Sequence, residues 1–170
     1  MISIDYRNAG EFENGIKEIN KFIENSVIVC IGTDKVIGDS TGPFVGTFLK
    51  EADVPLTVYG TLKEPVNYKN IDSILREIAE AHGDKKIVAI DSSLGSRNEL
   101  GNIIIDESPI SPGSGLRRSM VTIGDYSIKA VVFPRSSKKH FTLPGIRLNF
   151  IVDMAKAISR MIISAYYYNS

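Results

Sequence analysis

Three short apolar runs, at 27–31, 55–60 and 86–90, alternate with segments of helical periodicity, and this alternation constrains the fold more than any other feature of the chain. The run Val27-Ile28-Val29-Cys30-Ile31 is too short for a helix, ends at Gly32 and is rich in β-branched residues. It reads as a strand buried on both faces. Residues 55–60 and 86–90 read as two further strands. Between the strands, 42–49 predicts a helix opening at Ser40 or Thr41, with Pro43 tolerated in its first turn. Ile71, Ile74, Leu75 and Ile78 predict a second helix with Asn70 as its cap. Phe12, Ile16, Ile19 and Ile23 predict an earlier one over 11–24. The order β, α, β, α, β calls for a parallel sheet with helices on both faces, a three-layer α/β/α fold.

The pattern then changes. Residues 102–106 read as a strand, and 119–124 with 127–133 as an antiparallel hairpin turning at Asp125-Tyr126. A last helix over 145–166 carries the apolar stripe Ile146, Phe150, Met154, Ile158, Met161, Ile162 and Ala165, which should pack on the sheet. Nothing resembling a repeat or a linker divides the chain, so 1–170 is expected to form a single α/β domain.

Composition narrows the functional classes. The 170 residues are 43% hydrophobic and 24% charged, enough to build a core without disulfides or a structural metal. The one cysteine, Cys30, excludes an intramolecular disulfide and lies in an apolar run, where it acts as a small hydrophobe. No run approaches the roughly 18 apolar residues of a membrane span. The N-terminus lacks a basic segment followed by a long apolar one, so a cytoplasmic location is expected.

The formal charge of zero disfavours a generic nucleic-acid binder, but its parts differ. Residues 1–116 carry 11 basic and 18 acidic side chains, whereas 117–147 carry seven basic ones (Arg117, Arg118, Lys129, Arg135, Lys138, Lys139, Arg147) and one acidic, Asp125.

In an open parallel sheet, ligands gather beyond the carboxyl ends of the strands. Two acidic residues are expected there: Asp39, in the loop joining the first of these strands to its helix, and Asp91, directly after the strand 86–90. Two carboxylates sharing a site repel, so one keeps its proton while the other ionises, and such a pair can activate water and protonate a leaving amine. The plainer alternative is that each aspartate caps the element that follows it.

The loop glycines Gly32, Gly38, Gly42 and Gly46 match neither the dinucleotide fingerprint nor the P-loop, and Asp34 and Asp39 oppose a phosphate there. Pro112, Gly113, Ser114 and Gly115 form a rigid turn whose amides can approach a substrate, or else a surface turn. His82 reads as a helix-end residue before Gly83. His140 lies in a basic loop, either solvated or joined to Asp39 and Asp91 as a metal ligand. Ser40, Ser92 and Ser93 lack the Gly-x-Ser-x-Gly elbow of serine hydrolases.

Three segments together carry a family resemblance: Cys30-Ile31-Gly32-Thr33-Asp34-Lys35-Val36-Ile37-Gly38-Asp39-Ser40-Thr41-Gly42-Pro43-Phe44-Val45-Gly46, Ala89-Ile90-Asp91-Ser92-Ser93-Leu94-Gly95, and Ser111-Pro112-Gly113-Ser114-Gly115. Over roughly residues 25–165 the chain resembles the YyaC family of sporulation proteins of endospore-forming bacteria. More distantly, the same segments resemble the germination protease, which degrades small acid-soluble spore proteins and looks like an atypical aspartic peptidase. That resemblance implies Asp39 and Asp91 as catalytic residues and the turn Pro112 to Gly115 as substrate-binding. A wider similarity to hydrogenase maturation endopeptidases implies their α/β fold. Those enzymes carry an acidic residue after the loop aspartate where this chain has Ser40, so no metal and no other cofactor is implied.

The expectation is a sporulation-associated peptidase acting on a protein or peptide, with the basic stretch, Arg117 and Arg118 included, attracting acidic substrate segments. A non-catalytic protein binding a peptide in the same cleft is the alternative, and self-association into a homo-oligomer stays open. The implied place is the forespore or mother cell, with neither membrane nor direct nucleic-acid contact.

Overall fold

The computed structural model describes residues 1–111, 122–135 and 146–168. Among these, six strands form one sheet: β1 (Ile2–Asp5), β2 (Ser26–Cys30), β3 (Thr57–Tyr59), β4 (Lys86–Gly95), β5 (Asn102–Asp106) and β6 (Tyr126–Pro134). Their spatial order is β1-β5-β6-β4-β2-β3. The pairings β3-β2, β2-β4 and β4-β6 are parallel, and β6-β5 and β5-β1 are antiparallel. Four α-helices pack on it: α1 (Ala9–Asn20), α2 (Thr41–Glu51), α3 (Ile71–His82) and α4 (Leu148–Tyr166).

The alternation of side chains along the central strands divides the interior into two layers. Ile28 and Cys30 of β2 and Val88 and Ile90 of β4 pack with Ile19 of α1, Val45 and Leu49 of α2, and Met154, Ile158, Met161 and Ile162 of α4. Val27 and Val29 of β2 and Ala89 of β4 face the other way, against Ile71 and Ile78 of α3. The result is the expected three-layer α/β/α arrangement. β2 is buried along its whole length, which explains why its sequence is continuous rather than alternating.

Several boundaries move for physical reasons. α1 starts at Ala9 because the Asn8 side chain accepts hydrogen bonds from the Gly10 and Glu11 amides at 3.0 and 3.2 Å. Asn70 occupies the cap position of α3 but spends its side chain backwards, accepting from the Asn67 N–H (2.8 Å) and donating to the Pro65 carbonyl (3.0 Å). Ser40 precedes α2 without capping it. Its hydroxyl donates to the Ile37 carbonyl at 2.6 Å, because the helix continues out of the 3-10 turn Ile37–Asp39.

The antiparallel partner of 127–133 is β5, not 119–124. β6 is flanked by β4 on one side and β5 on the other, so no edge remains for a hairpin. Residues 119–121 lie outside the described residues, and Ile123 instead exchanges backbone hydrogen bonds with Ile110 at 2.9 and 2.8 Å. Among the described residues, no helix is long and apolar enough to cross a membrane.

Candidate functional site

The candidate site is built at the carboxyl ends of two neighbouring parallel strands, β2 and β4. Cys30 pairs with Ile90, and the Ile31 amide donates to the Ile90 carbonyl at 2.7 Å, which is where β2 leaves the β4 ladder. The chain then turns at Gly32, whose φ of 143° and close approach exclude a side chain. A Cβ there would lie 2.0 Å from the Asp39 carbonyl oxygen. That space allows the loop to fold back on itself, so that the Thr33 N–H donates to the Asp39 carbonyl at 3.0 Å.

α2 begins two residues later and sits directly on the strand end. A Cβ at Gly42 would stand 2.1 Å from the Ile31 carbonyl oxygen. The loop is thereby pressed against the sheet, and Asp39 is held beside the position where Asp91 follows Ile90.

Both aspartates are half-buried. Burial pushes the Asp39 carboxyl up to about 6, against the opposing effect of the Thr33 backbone N–H. Asp91 is raised well above the usual carboxylate range, first by burial and then by the negative charge of Asp39, although the Ser92 N–H donates to its Oδ1 at 2.7 Å. Neither carboxylate has a salt bridge among the described residues. Both carboxyls are thus pushed toward the protonated form, and the charge of Asp39 makes it harder for Asp91 to ionise beside it. This is the electrostatic condition under which one carboxyl accepts a proton while its neighbour donates one.

β4 continues past Asp91 to Gly95, paired there with β6 alone among the described residues. The Ser92 hydroxyl donates to the Thr41 hydroxyl at 3.1 Å, tying this extension to the first residue of α2. Ser92 is thus occupied in a structural contact, and its neighbours include no histidine acting as a base among the described residues. Among the exposed large apolar side chains are Ile37 (47%), Leu94 (37%) and Leu148 (49%). They lie on the 3-10 turn that carries Asp39, on the β4 extension and at the start of α4, and the turn packs against both β4 and α4.

Pro112, Gly113, Ser114, Gly115, Arg117 and Arg118 lie outside the described residues, as do Lys138, Lys139 and His140. Among the described residues no cluster of three or more His, Cys, Asp or Glu side chains is arranged to hold a metal ion. Cys30 is buried, and burial raises its thiol far above the range in which a thiolate forms. Two surface cavities lie elsewhere, one against α1 and α4 (about 480 Å³, with Tyr6, Phe12 and Arg160) and one along β3 (about 750 Å³, with Tyr59 and Val66). Neither is lined by Asp39 or Asp91. The β4 extension and its bond to Thr41 were not foreseen from sequence, because Asp91-Ser92-Ser93 lacks strand-forming residues.

Residues 3–161 match the family model described as "Protein of unknown function (DUF1256)". The chain belongs to the DUF1256 family. It is 35% identical over 134 residues to "Uncharacterized protein YyaC" of Bacillus subtilis (strain 168), a match spanning 78% of this chain and 65% of the relative. The DUF1256 chain thus spans somewhat under two thirds of that relative's length. Among solved structures, a [NiFe] hydrogenase maturation protease HycI from Thermococcus kodakarensis KOD1 aligns with a TM-score of 0.49 and 15% identity, over 85% of this chain and 98% of that one.

Proposed function

We propose that this protein is a peptidase whose Asp39 and Asp91 form an acid–base pair acting on a peptide bond of a protein substrate. The observation that carries this reading is the placement of Asp39 beside Asp91 where β2 leaves the β4 ladder, with burial raising both carboxyls. Asp39, ionised, takes a proton from a water molecule as its oxygen attacks the peptide carbonyl carbon. Asp91 gives its proton to the reacting amide, and the C–N bond breaks as the amine leaves. The product is a new carboxyl and a new amine, and a proton passing from Asp39 back to Asp91 restores the pair.

The similarity to the germination protease supports small acid-soluble spore proteins, or another spore protein, as substrate. The basic stretch 117–147 suits acidic segments of such a chain. The backbone amides near Gly113 to Gly115 are the ones that would stabilise the oxyanion.

Incubating the purified protein with a small acid-soluble spore protein and following fragments by mass spectrometry tests this. Asp39→Asn and Asp91→Asn are each expected to lower the rate by about 10²–10⁴-fold with the fold intact. The rate should rise as Asp39 ionises near pH 6 and fall again at higher pH as Asp91 loses its proton. Full activity in both variants overturns the mechanism. Saturable binding without turnover, lost when Arg117, Arg118, Lys138 and Lys139 are neutralised, assigns the cleft to peptide binding alone.

A further inference from the structure

Resting on the peptidase reading, we infer that the substrate is bound as an added β-strand along the open edge of β4 at Ser92–Gly95, in the line that β2 vacates. β4 has ten residues, but β2 accompanies it only as far as Ile90 and the Ile31 amide. Beyond that point β4 is paired, among the described residues, on its β6 side alone, through to Gly95 against Pro134. Gly32 then turns away to donate to the Val66 carbonyl at 2.8 Å, so the line of β2 is abandoned within a residue or two of Asp91.

The direction of the backbone groups follows from the ladder. In a parallel sheet each residue turns its N–H and C=O to the same side, and alternate residues serve opposite neighbours. Ile90 serves β2, so Ser92 points to the vacated side; the register with β6 slips by a residue between Ser93 and Leu94, yet Gly95 still accepts from the Arg135 amide at 2.7 Å on the β6 side, which leaves Leu94 turned to the vacated side. The Ser92 N–H is taken by Asp91 Oδ1. Among the described residues the Leu94 N–H has no partner. The Leu94 carbonyl receives only a 3.4 Å contact from the Ser93 hydroxyl.

An extended backbone is the ligand that such a row of groups recognises. A strand accepting from Leu94 N–H and donating to Ser92 C=O lays its adjoining peptide unit beside the Asp91 carboxyl. This is where a scissile bond has to be.

The edge also lacks what protects other sheet edges. Ser92-Ser93-Leu94-Gly95 has no lysine and no proline, whereas the outer strand β3 is only three residues long and follows Pro55. Leu94 shares its face of the strand with Ser92, whose hydroxyl meets α2. Exposed Ile37 and Leu148 lie on elements of that same side. The bound segment is therefore an extended one that turns an apolar side chain toward Leu94.

The test follows the Leu94 amide by ¹⁵N-edited NMR hydrogen exchange in the Asp39→Asn protein, with an intact small acid-soluble spore protein as probe, beside cleavage of the same probe by the wild type. The probe is expected to slow Leu94 exchange at least about tenfold, the effect of one added hydrogen bond. Leu94→Pro, which removes both the N–H and the apolar side chain that the bound segment meets, is expected to raise KM at least about tenfold with kcat little changed.

Cleavage by the wild type with Leu94 exchange unaltered overturns the edge while leaving the peptidase intact. Leu94 protection without cleavage upholds the edge and overturns the peptidase. Slow exchange before any probe is added, whether constant or rising with protein concentration, means the edge is closed by the chain itself or by a second copy. Either of those results also overturns it.

Discussion

Two aspartates bracket the stretch of β4 that pairs with β2, and the fold treats them in opposite ways. At the amino end, Asp125 bonds the Lys86 ammonium at 2.8 Å through Oδ1 and accepts the Ile87 amide at 2.9 Å through Oδ2, while its own N–H donates to the Ile87 carbonyl at 2.8 Å. Burial pushes the Asp125 carboxyl up, but Lys86 and the Ile87 N–H outweigh it and hold the group below its ordinary range. At the carboxyl end, Asp91 has one amide and, in place of a cation, a second carboxylate. The same side chain is thus an anion clamping two strands at one end and, at the other, a carboxyl pushed toward its protonated form. Burial and partner together separate the roles: Asp91 is raised first by burial and then by Asp39, whereas Asp125 is 39% exposed and paired with Lys86.

The contrast depends on the loop that brings Asp39 to Asp91, and the most disruptive way to break it is to wedge that loop off the sheet. Gly42→Ala places a methyl group 2.1 Å from a backbone oxygen, which no rotamer change can relieve. A loss of about 2–4 kcal/mol of stability is expected, typical of overpacking against backbone. Urea unfolding measures it. Cleavage should fall as well, because Asp39 moves with the helix start. A variant as stable and active as the wild type would show that the close contact does not position the pair.

Much of this contrast can be read from the sequence, and the unread parts have a common cause. Asp39 and Asp91 are legible because each follows a continuous apolar run, and parallel topology sends the ends of such runs to one edge. The strand after Asp91 is not legible. Ser92 and Ser93 extend only because β6 runs on beside them to Pro134, a non-local pairing that no window of sequence contains.

The hairpin expected over 119–133 failed for the same reason. Adjacency in sequence favours pairing 127–133 with the preceding run, yet β5, beyond a longer connection, holds that edge. β1 carries a period-two signal in Ile2-Ser3-Ile4-Asp5, but four residues are too few to distinguish a strand without its partner β5. The turn 112–115 and the basic residues 117, 118 and 138–140 fall outside the described residues, so their place at the site rests on sequence.

A gentler way to sharpen the comparison is to remove the charge that the site holds against its preference. Because the folded protein raises the Asp39 carboxyl to about 6, the native state binds more protons than the unfolded chain between about pH 4 and 6, and stability falls as pH rises through that window. Asp39→Asn abolishes this loss. Above pH 7 the variant is expected to be more stable than the wild type by about 2 kcal/mol, and at pH 4 by little. For a chain of this size that is a rise in Tm of roughly 4–8 °C. A variant that stabilises while losing cleavage places the cost of the coupled pair in function. One that destabilises at pH 8 shows instead that the carboxylate is held by contacts favouring its charge.

The smallest effect belongs to the other end of the strand and has the opposite sign. Asp125 has a lowered pKa, so its contribution is present above the unfolded-state value and disappears as pH falls through the lower folded value. Its side chain is 39% exposed and that of Lys86 57%, so solvent screens the pair strongly. Asp125→Asn is therefore expected to cost about 0.5–1 kcal/mol at pH 7, less in 1 M salt and progressively less as pH falls below the ordinary carboxylate range. Urea unfolding at these conditions reads the difference, and a cleavage assay read beside it should show no change. If Asp125→Asn instead silenced cleavage as Asp91→Asn is expected to, the two ends of β4 would be one functional unit. A pH-independent loss would assign Asp125 to main-chain geometry rather than charge, because the asparagine keeps an oxygen for Ile87 but loses its attraction for Lys86.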